Sequence, residues 1–479
     1  MVQRPPRLSP AELKNFRLKR RTSAVFVESP PTPPAFESDR RLRVEYVSID
    51  SLQPDAKNPR LHTDRQIQQI ARSIKSFGFN VPILADRLRR VVAGHGRLLA
   101  ARLLGLEEVP VIQLESLTEP QARAFALADN RMTDQSQWSD QLLSEVFRDL
   151  SALELNFSLE DTGFTMGEID FRIEGSSTSP AGHSDPADQL PEHSNQPAVS
   201  KRGCLWILGR HRLLCGDACD AASYDALMQG NLAQLVFTDP PYNVPVQGHV
   251  SGKGRIKHRE FVKASGELTF GQFVHFLAGV MHLLARHSGD GSLHFQCMDW
   301  RHSSEILAAG NQAYTELKNI CVWVKDNAGM GSLYRSQHEL VFVFKSGRGP
   351  HRNNVELGVH GRNRSNVWKY PSPSSFGRQS EEGQLLALHP TVKPVAMIAD
   401  AILDASARGD VVLDPFLGSG STLVAAERVG RICYGIEIDP LYADTAIRRW
   451  QRYTGEAAVH AVSGRRFDEL ATQSVVRRA

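Results

Sequence analysis

The stretch VVLDPFLGSGSTLVAAERVGRICYGIEIDP, residues 411–440, passes from an apolar run through a glycine-rich turn into a helical pattern, then into a second apolar run that ends in an acid. Strand, turn, helix and strand in that order make a βαβ unit, and such units place their ligand over the carboxyl ends of the strands. Without Cβ atoms, Gly418 and Gly420 let the backbone turn sharply and approach a bound group. Glu437, about 20 residues further on, is placed to accept hydrogen bonds from a ribose diol. The unit therefore predicts an adenosine-containing cofactor. A Walker-type phosphate loop needs a lysine after its glycines, and none follows here. A dinucleotide fold wants Gly or Ala where Leu423 stands, which leaves NAD open but disfavoured. S-adenosylmethionine fits better, because it has no phosphate and its charged amino-acid end can be held by Asp414 and the turn. Taken alone, the turn is also compatible with a plain strand-to-helix connection.

Upstream, the pentapeptide Thr-Asp-Pro-Pro-Tyr, residues 238–242, follows the apolar run Leu235-Val236-Phe237. Two prolines stop the sheet ladder and hold a stiff, extended loop. The carboxylate of Asp239, the free carbonyls of Asp239 and Pro240, and the ring of Tyr242 are then displayed together where a sheet binds its ligand. That set suits a flat group bearing an amine. A strand end with Asp239 capping the turn is the simpler alternative.

The chain has 479 residues, 41% hydrophobic and 23% charged, which fits a globular protein of two to four domains. No apolar stretch approaches the ~20 residues that span a bilayer, and the N-terminus lacks the apolar core of a secretory signal, so a cytoplasmic protein without membrane contact is expected. Six scattered cysteines suggest reduced thiols. His211, Cys215 and Cys219 recur at regular intervals, but no second ligand pair follows; they read as core residues, and no metal is expected. A formal net charge of +3 permits nucleic-acid binding without requiring it.

Composition divides the chain into a disordered basic tail (1–40), a compact α/β domain (41–135), a helical extension (136–173), a polar Pro/Ser-rich linker (174–200) and a larger α/β domain (201–479). In the last of these, strands such as LVFT, SLHFQC and HELVFVFK alternate with helices such as FGQFVHFLAGVMHLLARH, which predicts a mainly parallel, doubly wound, Rossmann-like sheet.

Residues 201 to about 460 resemble the DNA amino-methyltransferases that modify exocyclic nitrogens of adenine or cytosine. CGDA (215–218), TDPPYN (238–243), HPTVKP (389–394), DPFLGSGST (414–422) and GIEIDPLY (435–442) stand in the order of the class whose catalytic half precedes its cofactor half. The resemblance implies S-adenosylmethionine as cofactor, held by Asp414, Phe416, Gly418, Gly420 and Glu437, with Asp217 beside its adenine and Lys393 supporting its methionine end. Lys393 could equally be a solvated lysine at a helix entry, and Asp217 a turn residue. It implies catalysis by Asp239, Pro240, Pro241 and Tyr242 on double-stranded DNA. Asp239 and the Pro240 carbonyl would each accept one N–H of the amine, drawing its lone pair out of the ring, while Tyr242 stacks on a base flipped from the duplex. Cytosine C5 methylation needs a nucleophilic cysteine, typically after proline, and no Pro-Cys pair occurs. The family more often carries Asp at the position of Asp239 when it acts on adenine N6, and Ser for cytosine N4, so adenine is favoured. The resemblance also puts target recognition within 245–385, whose basic, Gly-rich stretches interleave Asn and aromatic residues.

Residues 44 to about 135 resemble the N-terminal domain of the ParB partition proteins, through LQPDAKNPRLH (52–62), IARSIKSFGFNVPIL (70–84), VVAGHGRLLAARLLGLEEVPV (91–111) and ALADNR (126–131). This implies a nucleotide or phosphate site bordered by Gly94, His95, Gly96 and Arg97, with Arg60 assisting, although Gly-His-Gly-Arg stands where partition proteins usually show an acid and two arginines. A docking module is the alternative. No helix-turn-helix is expected in 136–172, which reads as short and acidic. Either half is compatible with a homodimer. A partition-like DNA-binding protein with an inactive second half is the rival from another class.

Overall fold

The computed structural model describes residues 42–56, 58–174, 185–188, 191, 197–244, 266–328, 333–355, 364–371 and 392–476. The basic tail 1–40 and the basic stretch 247–261 lie outside them. Two compact units divide after Asp134. Among the described residues no helix is long and apolar enough to cross a membrane.

The first unit is built on four strands, β1 (Val44–Ser48), β2 (Ile83–Ala85), β3 (Val91–Ala93) and β4 (Glu108–Gln113), in the spatial order β1-β4-β2-β3. Helix α1 (Asp64–Phe77) is capped by the Thr63 hydroxyl, which accepts the Gln66 N–H at 3.3 Å, and stops at Gly78. Its Ile67, Ile70 and Ile74 are half-buried, but Phe77 is exposed. Helix α2 (His95–Leu103) starts at Gly94, whose φ of 100° is the left-handed conformation that glycine adopts without strain. Leu98 and Ala101 of α2 join Ile83, Val91, Val109 and Val111 in the core. Helix α3 (Glu119–Gln135) follows.

In the second unit the helices α4 (Asp140–Ser151) and α5 (Met166–Glu174) come first. Strands β5 (Leu205–Leu208), β6 (His211–Cys215), β7 (Ala233–Thr238), β8 (Ser288–Met298), β9 (Glu316–Val324), β10 (His338–Lys345), β11 (Val367–Lys369), β12 (Val411–Asp414), β13 (Ile432–Glu437) and β14 (Val459–His460) form one sheet in the order β11-β9-β10-β8-β7-β12-β13-β6-β5-β14. The helices are α6 (Ala221–Met228), α7 (Phe270–Arg286), α8 (Ser303–Ala313), α9 (Val395–Ala405), α10 (Ser421–Arg428), α11 (Pro440–Thr454) and α12 (Phe467–Val476). The middle block, β8 to β6, is parallel as expected, but β10 runs antiparallel to both its neighbours, and β5 and β14 are antiparallel at the other edge. Connection length explains the second departure: β5 and β6 are joined by Gly209 and Arg210 alone, which can close a hairpin but not a crossover. From β7 the chain crosses through α7 to β8, and from β12 through α10 to β13, in opposite directions along the sheet. The switch point of the topology therefore lies between β7 and β12.

The segments expected to be an extension and a linker are part of this unit. Leu143 and Phe147 of α4 pack with Leu159, Met166, Ile169 and Ala407. Asp170, 1% exposed, takes two bonds from the fully buried Arg431 guanidinium, Nη1 to Oδ1 at 3.0 Å and Nη2 to Oδ2 at 2.6 Å, and a third from Arg408 Nε at 2.9 Å. The described parts of 174–200 dock as well: Asp188 accepts the Val395 N–H at 2.8 Å, the Ala187 carbonyl accepts Arg449 Nη2 at 2.8 Å, and the Val199 and Ser200 N–H groups donate to Asp444. Polar composition suggested a tether, yet Asp188 and the Ala187 carbonyl are matched to the Val395 N–H and the buried Arg449. Of the three residues at regular spacing, His211 and Cys215 are buried, but Cys219 is exposed and is no core residue. His211 Nδ1 accepts the Cys433 N–H at 2.8 Å and Nε2 lies 2.7 Å from Glu427.

Removing one partner of a buried bidentate pair strands the other charge. Asp170→Ala is therefore expected to cost the second unit about 3–5 kcal/mol, read as a lowered urea midpoint; a midpoint equal to wild type would show that the pair does not hold α5 to the sheet.

Candidate active site

Thr238, the last residue of β7, donates its hydroxyl to Asp414 Oδ1 at 2.9 Å, so the carboxyl ends of β7 and β12 are tied directly across the switch point. Asp414 also accepts the Thr422 hydroxyl at 2.7 Å and the Phe416 N–H at 3.0 Å. Three donors satisfy it, yet burial, with the like charge of Asp239 nearby, pushes its carboxyl up to about 6. Glu437, at the end of β13, accepts the Gly418 N–H and the Asp439 N–H, each at 2.8 Å. Burial outweighs these bonds and lifts Glu437 to about 7. Gly418 and Gly420 both have positive φ, 54° and 84°. A Cβ on Gly420 would lie 3.0 Å from that of Ala446, so this glycine serves close packing of the turn on α11.

One cavity joins the two halves. Asp217, Asp239, Pro240, Pro241, Tyr242, Lys393, Asp414, Phe416, Gly418 and Glu437 all line it, and Gly420 alone of the expected residues in this unit does not. Asp217 accepts the Cys219 N–H at 2.9 Å on one wall. The alternative of a solvated Lys393 is excluded by its 4% exposure. Its ammonium lies at the Asp239 end of the cavity, donating to Asp239 Oδ2 at 2.6 Å. The Tyr242 hydroxyl lies 2.6 Å from the other Asp239 oxygen and 3.1 Å from Glu339 Oε2. Glu339 in turn pairs with Lys393 at 3.2 Å and Lys325 at 2.5 Å. Burial raises the Asp239 carboxyl despite Lys393, and Glu339, facing two ammonium groups that outweigh its burial, is held down at about 2.

Glu339 and Lys325 were not singled out in the sequence. The available signal was a lysine just after the strand VWV and an acid at the start of HELVFVFK; an antiparallel pairing sets the two at the same end of the sheet, with Glu339 opposite Trp323. Of the expected target-recognition interval 245–385, residues 245–265, 329–332, 356–363 and 372–385 lie outside the described residues. Much of the remainder is sheet and helix: β8 to β11 and α7 and α8.

In the first unit Arg60, Gly94, His95, Gly96 and Arg97 line a second, polar cavity together with His62 and Asn130. Arg60 donates to Asn130 at 2.8 Å, and His95 Nε2 accepts the Asp55 N–H at 3.3 Å. Arg97 Nη2 donates to the Pro82 carbonyl at 3.3 Å, while its buried Nε has no hydrogen-bond partner among the described residues.

Comparison with known proteins gives three family matches: DNA methylase over residues 233–448, ParB N-terminal domain over 35–131, and ParB-methyltransferase HTH domain over 141–202. The third overturns the expectation that no helix-turn-helix follows the first domain. Of the acids in 136–172 that argued against it, Asp170 points inward to the buried Arg431 and Glu160 pairs with Arg352, while Asp140, Glu145, Asp149 and Glu154 are exposed. The ParB-like nuclease domain-containing protein YnaK of Escherichia coli (strain K12) is 42% identical over 81 residues, 17% of this chain and 93% of its own length. Type II methyltransferase M2.MboI of Moraxella bovis is 25% identical over 249 residues, 50% of this chain and 87% of its own length. Among solved structures, the M1.HpyAVI–SAM complex matches with a TM-score of 0.35 and 21% identity, over 50% of this chain and 98% of that one. The chain belongs to the ParB-like family through its first unit, and its second carries a DNA methylase domain of the N6/N4 type.

Proposed function

We propose that the chain is a cytoplasmic, S-adenosylmethionine-dependent enzyme that methylates the N6 amino group of adenine in double-stranded DNA. The observation that carries this reading is the single cavity in which Asp239-Pro240-Pro241-Tyr242 faces the Asp414–Glu437 cradle across the switch point. The donor set fits the cofactor: Glu437 offers oxygens to a ribose diol, Asp217 stands by the adenine side, and Gly418 of the turn lines the same cavity. When bound, S-adenosylmethionine supplies the methyl group. The work of the chain's own residues is to make a poor nucleophile reactive. Asp239 and the Pro240 carbonyl accept the two N–H bonds of the amine, so that its lone pair turns out of the ring plane. Tyr242 gives the flipped base a stacking surface, offsetting part of the few kcal/mol that flipping costs. Asp239 at the head of the motif favours adenine over cytosine N4.

In the first unit, Arg60, Gly94, His95, Gly96 and Arg97 form a site for a phosphate-bearing ligand of the nucleotide type. The N-terminal N–H groups of α2 and the unpartnered Arg97 Nε support it. Arg97→Ala should abolish binding of nucleoside triphosphates to the full chain in calorimetry; equal binding by the variant would place the ligand elsewhere.

DNA from cells expressing wild type or Asp239→Ala, sequenced for both modified bases, tests the reaction. A methylated adenine motif is expected with wild type only, while the variant keeps its DNA affinity at fixed salt. Methylcytosine in its place would move the assignment to N4, and no mark with folded protein and cofactor would leave a binding role.

The cofactor cradle has its own pH signature. Because the folded pKa of Glu437 is raised to about 7, its contribution to stability is present below the unfolded carboxylate range and is lost as pH rises through 7. A ligand whose hydroxyls donate to this carboxylate binds only after that ionisation. Affinity for S-adenosylmethionine should therefore rise roughly tenfold between about pH 6 and about pH 8, and Glu437→Gln should bind weakly with a flat profile. An equally flat wild-type profile would remove Glu437 from ribose binding.

A further inference from the structure

Four charged side chains alternate in sign from behind the cavity wall to its Asp239 end: Lys325, Glu339, Lys393 and Asp239, with successive contacts of 2.5, 3.2 and 2.6 Å, the last two lining the cavity. They come from four separate places in the chain, the end of β9, the start of β10, the entry to α9 and the loop after β7. Tyr242 closes the group into a ring by lying within hydrogen-bond reach of both acids. Exposure of the side chains is 25% for Lys325, 13% for Glu339, 4% for Lys393 and 21% for Asp239, so the two inner members of the chain of charges are the most buried and its two ends are more open.

We propose that Glu339 and Lys325 are positioning residues for the reaction: Glu339, clasped between Lys325 and Lys393, fixes Lys393 on one oxygen of Asp239 and the Tyr242 hydroxyl on the other, and its negative charge keeps Asp239 available to accept the proton that the amine loses. The inference rests on the methyl-transfer reading above. An amine that gains a methyl group must release one proton, which passes to Asp239 and from there to water. Lys393 alone would neutralise Asp239 and make it a poor acceptor. Glu339 shares that ammonium, so the pair of acids and the pair of lysines balance. Glu339 itself is held ionised by two lysines and is unsuited to receive the proton, which separates its role from that of Asp239. The other titratable groups facing Asp239 are Asp414, whose like charge acts in the same direction as Glu339, and the buried thiol of Cys297 on β8, whose own pKa is raised well above the ordinary thiol value.

Coulomb's law gives opposite signs for the two outer residues. Removing the negative charge in Glu339→Gln leaves Asp239 less basic; removing the positive charge in Lys325→Met leaves it more basic. The test is single-turnover methylation of DNA by the full chain against pH, with S-adenosylmethionine affinity measured on the same samples. The rate of Glu339→Gln is expected to fall about tenfold at neutral pH, with its acid limb shifted down by about one pH unit. Lys325→Met should shift that limb up, and both variants should bind the cofactor within about twofold of wild type. A network that only holds the fold would lower stability without moving the acid limb in opposite directions, and limbs that coincide with wild type would overturn the proposal. If Glu339→Gln does not fold, the upward shift in the more exposed Lys325→Met decides alone. A wild type that methylates neither base would overturn the methyl-transfer reading and this inference together, whereas an active wild type with unshifted variants would sink only the latter.

Discussion

The hydrogen bond from Thr238 to Asp414 joins the ends of two strands that are far apart in the chain, and the site depends on it. β7 and β12 pair side by side, and the crossovers that leave them run in opposite directions along the sheet. At that divide the sheet offers two loops with their backbone groups free. One loop is stiffened by two prolines and the other is made narrow by glycine. Asp414 spends its three hydrogen bonds on orienting both, so a carboxylate that sequence reading assigned to the cofactor is also the brace that sets the two halves at a fixed separation.

Charge is the second organising constraint. Asp239, Asp414 and Glu437 line the cavity and Glu339 stands behind Tyr242 and Lys393 of its wall, and each of the four acids is handled differently. Glu339 is compensated by two lysines, Asp239 shares one of them, Asp414 is held by hydroxyls and a backbone N–H, and Glu437 by two backbone N–H groups. Hydrogen bonds satisfy lone pairs but supply no counter-charge, which is why the last two carboxyls rise while Glu339 falls. The end of the cavity assigned to the amine is thus strongly charged and balanced. The end assigned to the cofactor carries acids that are easier to protonate, and a cationic, hydroxyl-bearing ligand would relieve their burial.

Sequence reading located what local chemistry constrains. The pentapeptide 238–242, the turn 414–422 and Glu437 are legible because proline, glycine and an acid at a strand end each leave few alternatives. Lys325 and Glu339 were not legible: 14 residues separate them, and only the antiparallel pairing of β9 with β10 brings them together. The same pairing makes β10 one of two strands among the described residues, with β5, that run against an otherwise parallel sheet. The helical segment before residue 174 was misread for a related reason. Acidic composition suggests a solvated surface, but composition cannot say which acid meets a buried arginine, and Asp170 meets Arg431. Gly420 was assigned to the ligand on its residue type; its positive φ and the closeness of Ala446 on α11 are two further reasons for glycine at that place.

The docking of residues 185–188 and 197–200 bears on how such a protein is assembled over evolutionary time. Ala187 shares the Arg449 guanidinium with Ser419 and Ser421 of the turn 414–422, and Asp188 caps the helix that follows Lys393. A gene fusion that joined foreign sequence at Lys201 would delete those partners from both halves of the site. The portable piece of this architecture is the whole of 135–479, and recombination that keeps its function has to cut nearer Asp134 than the low-complexity stretch would suggest.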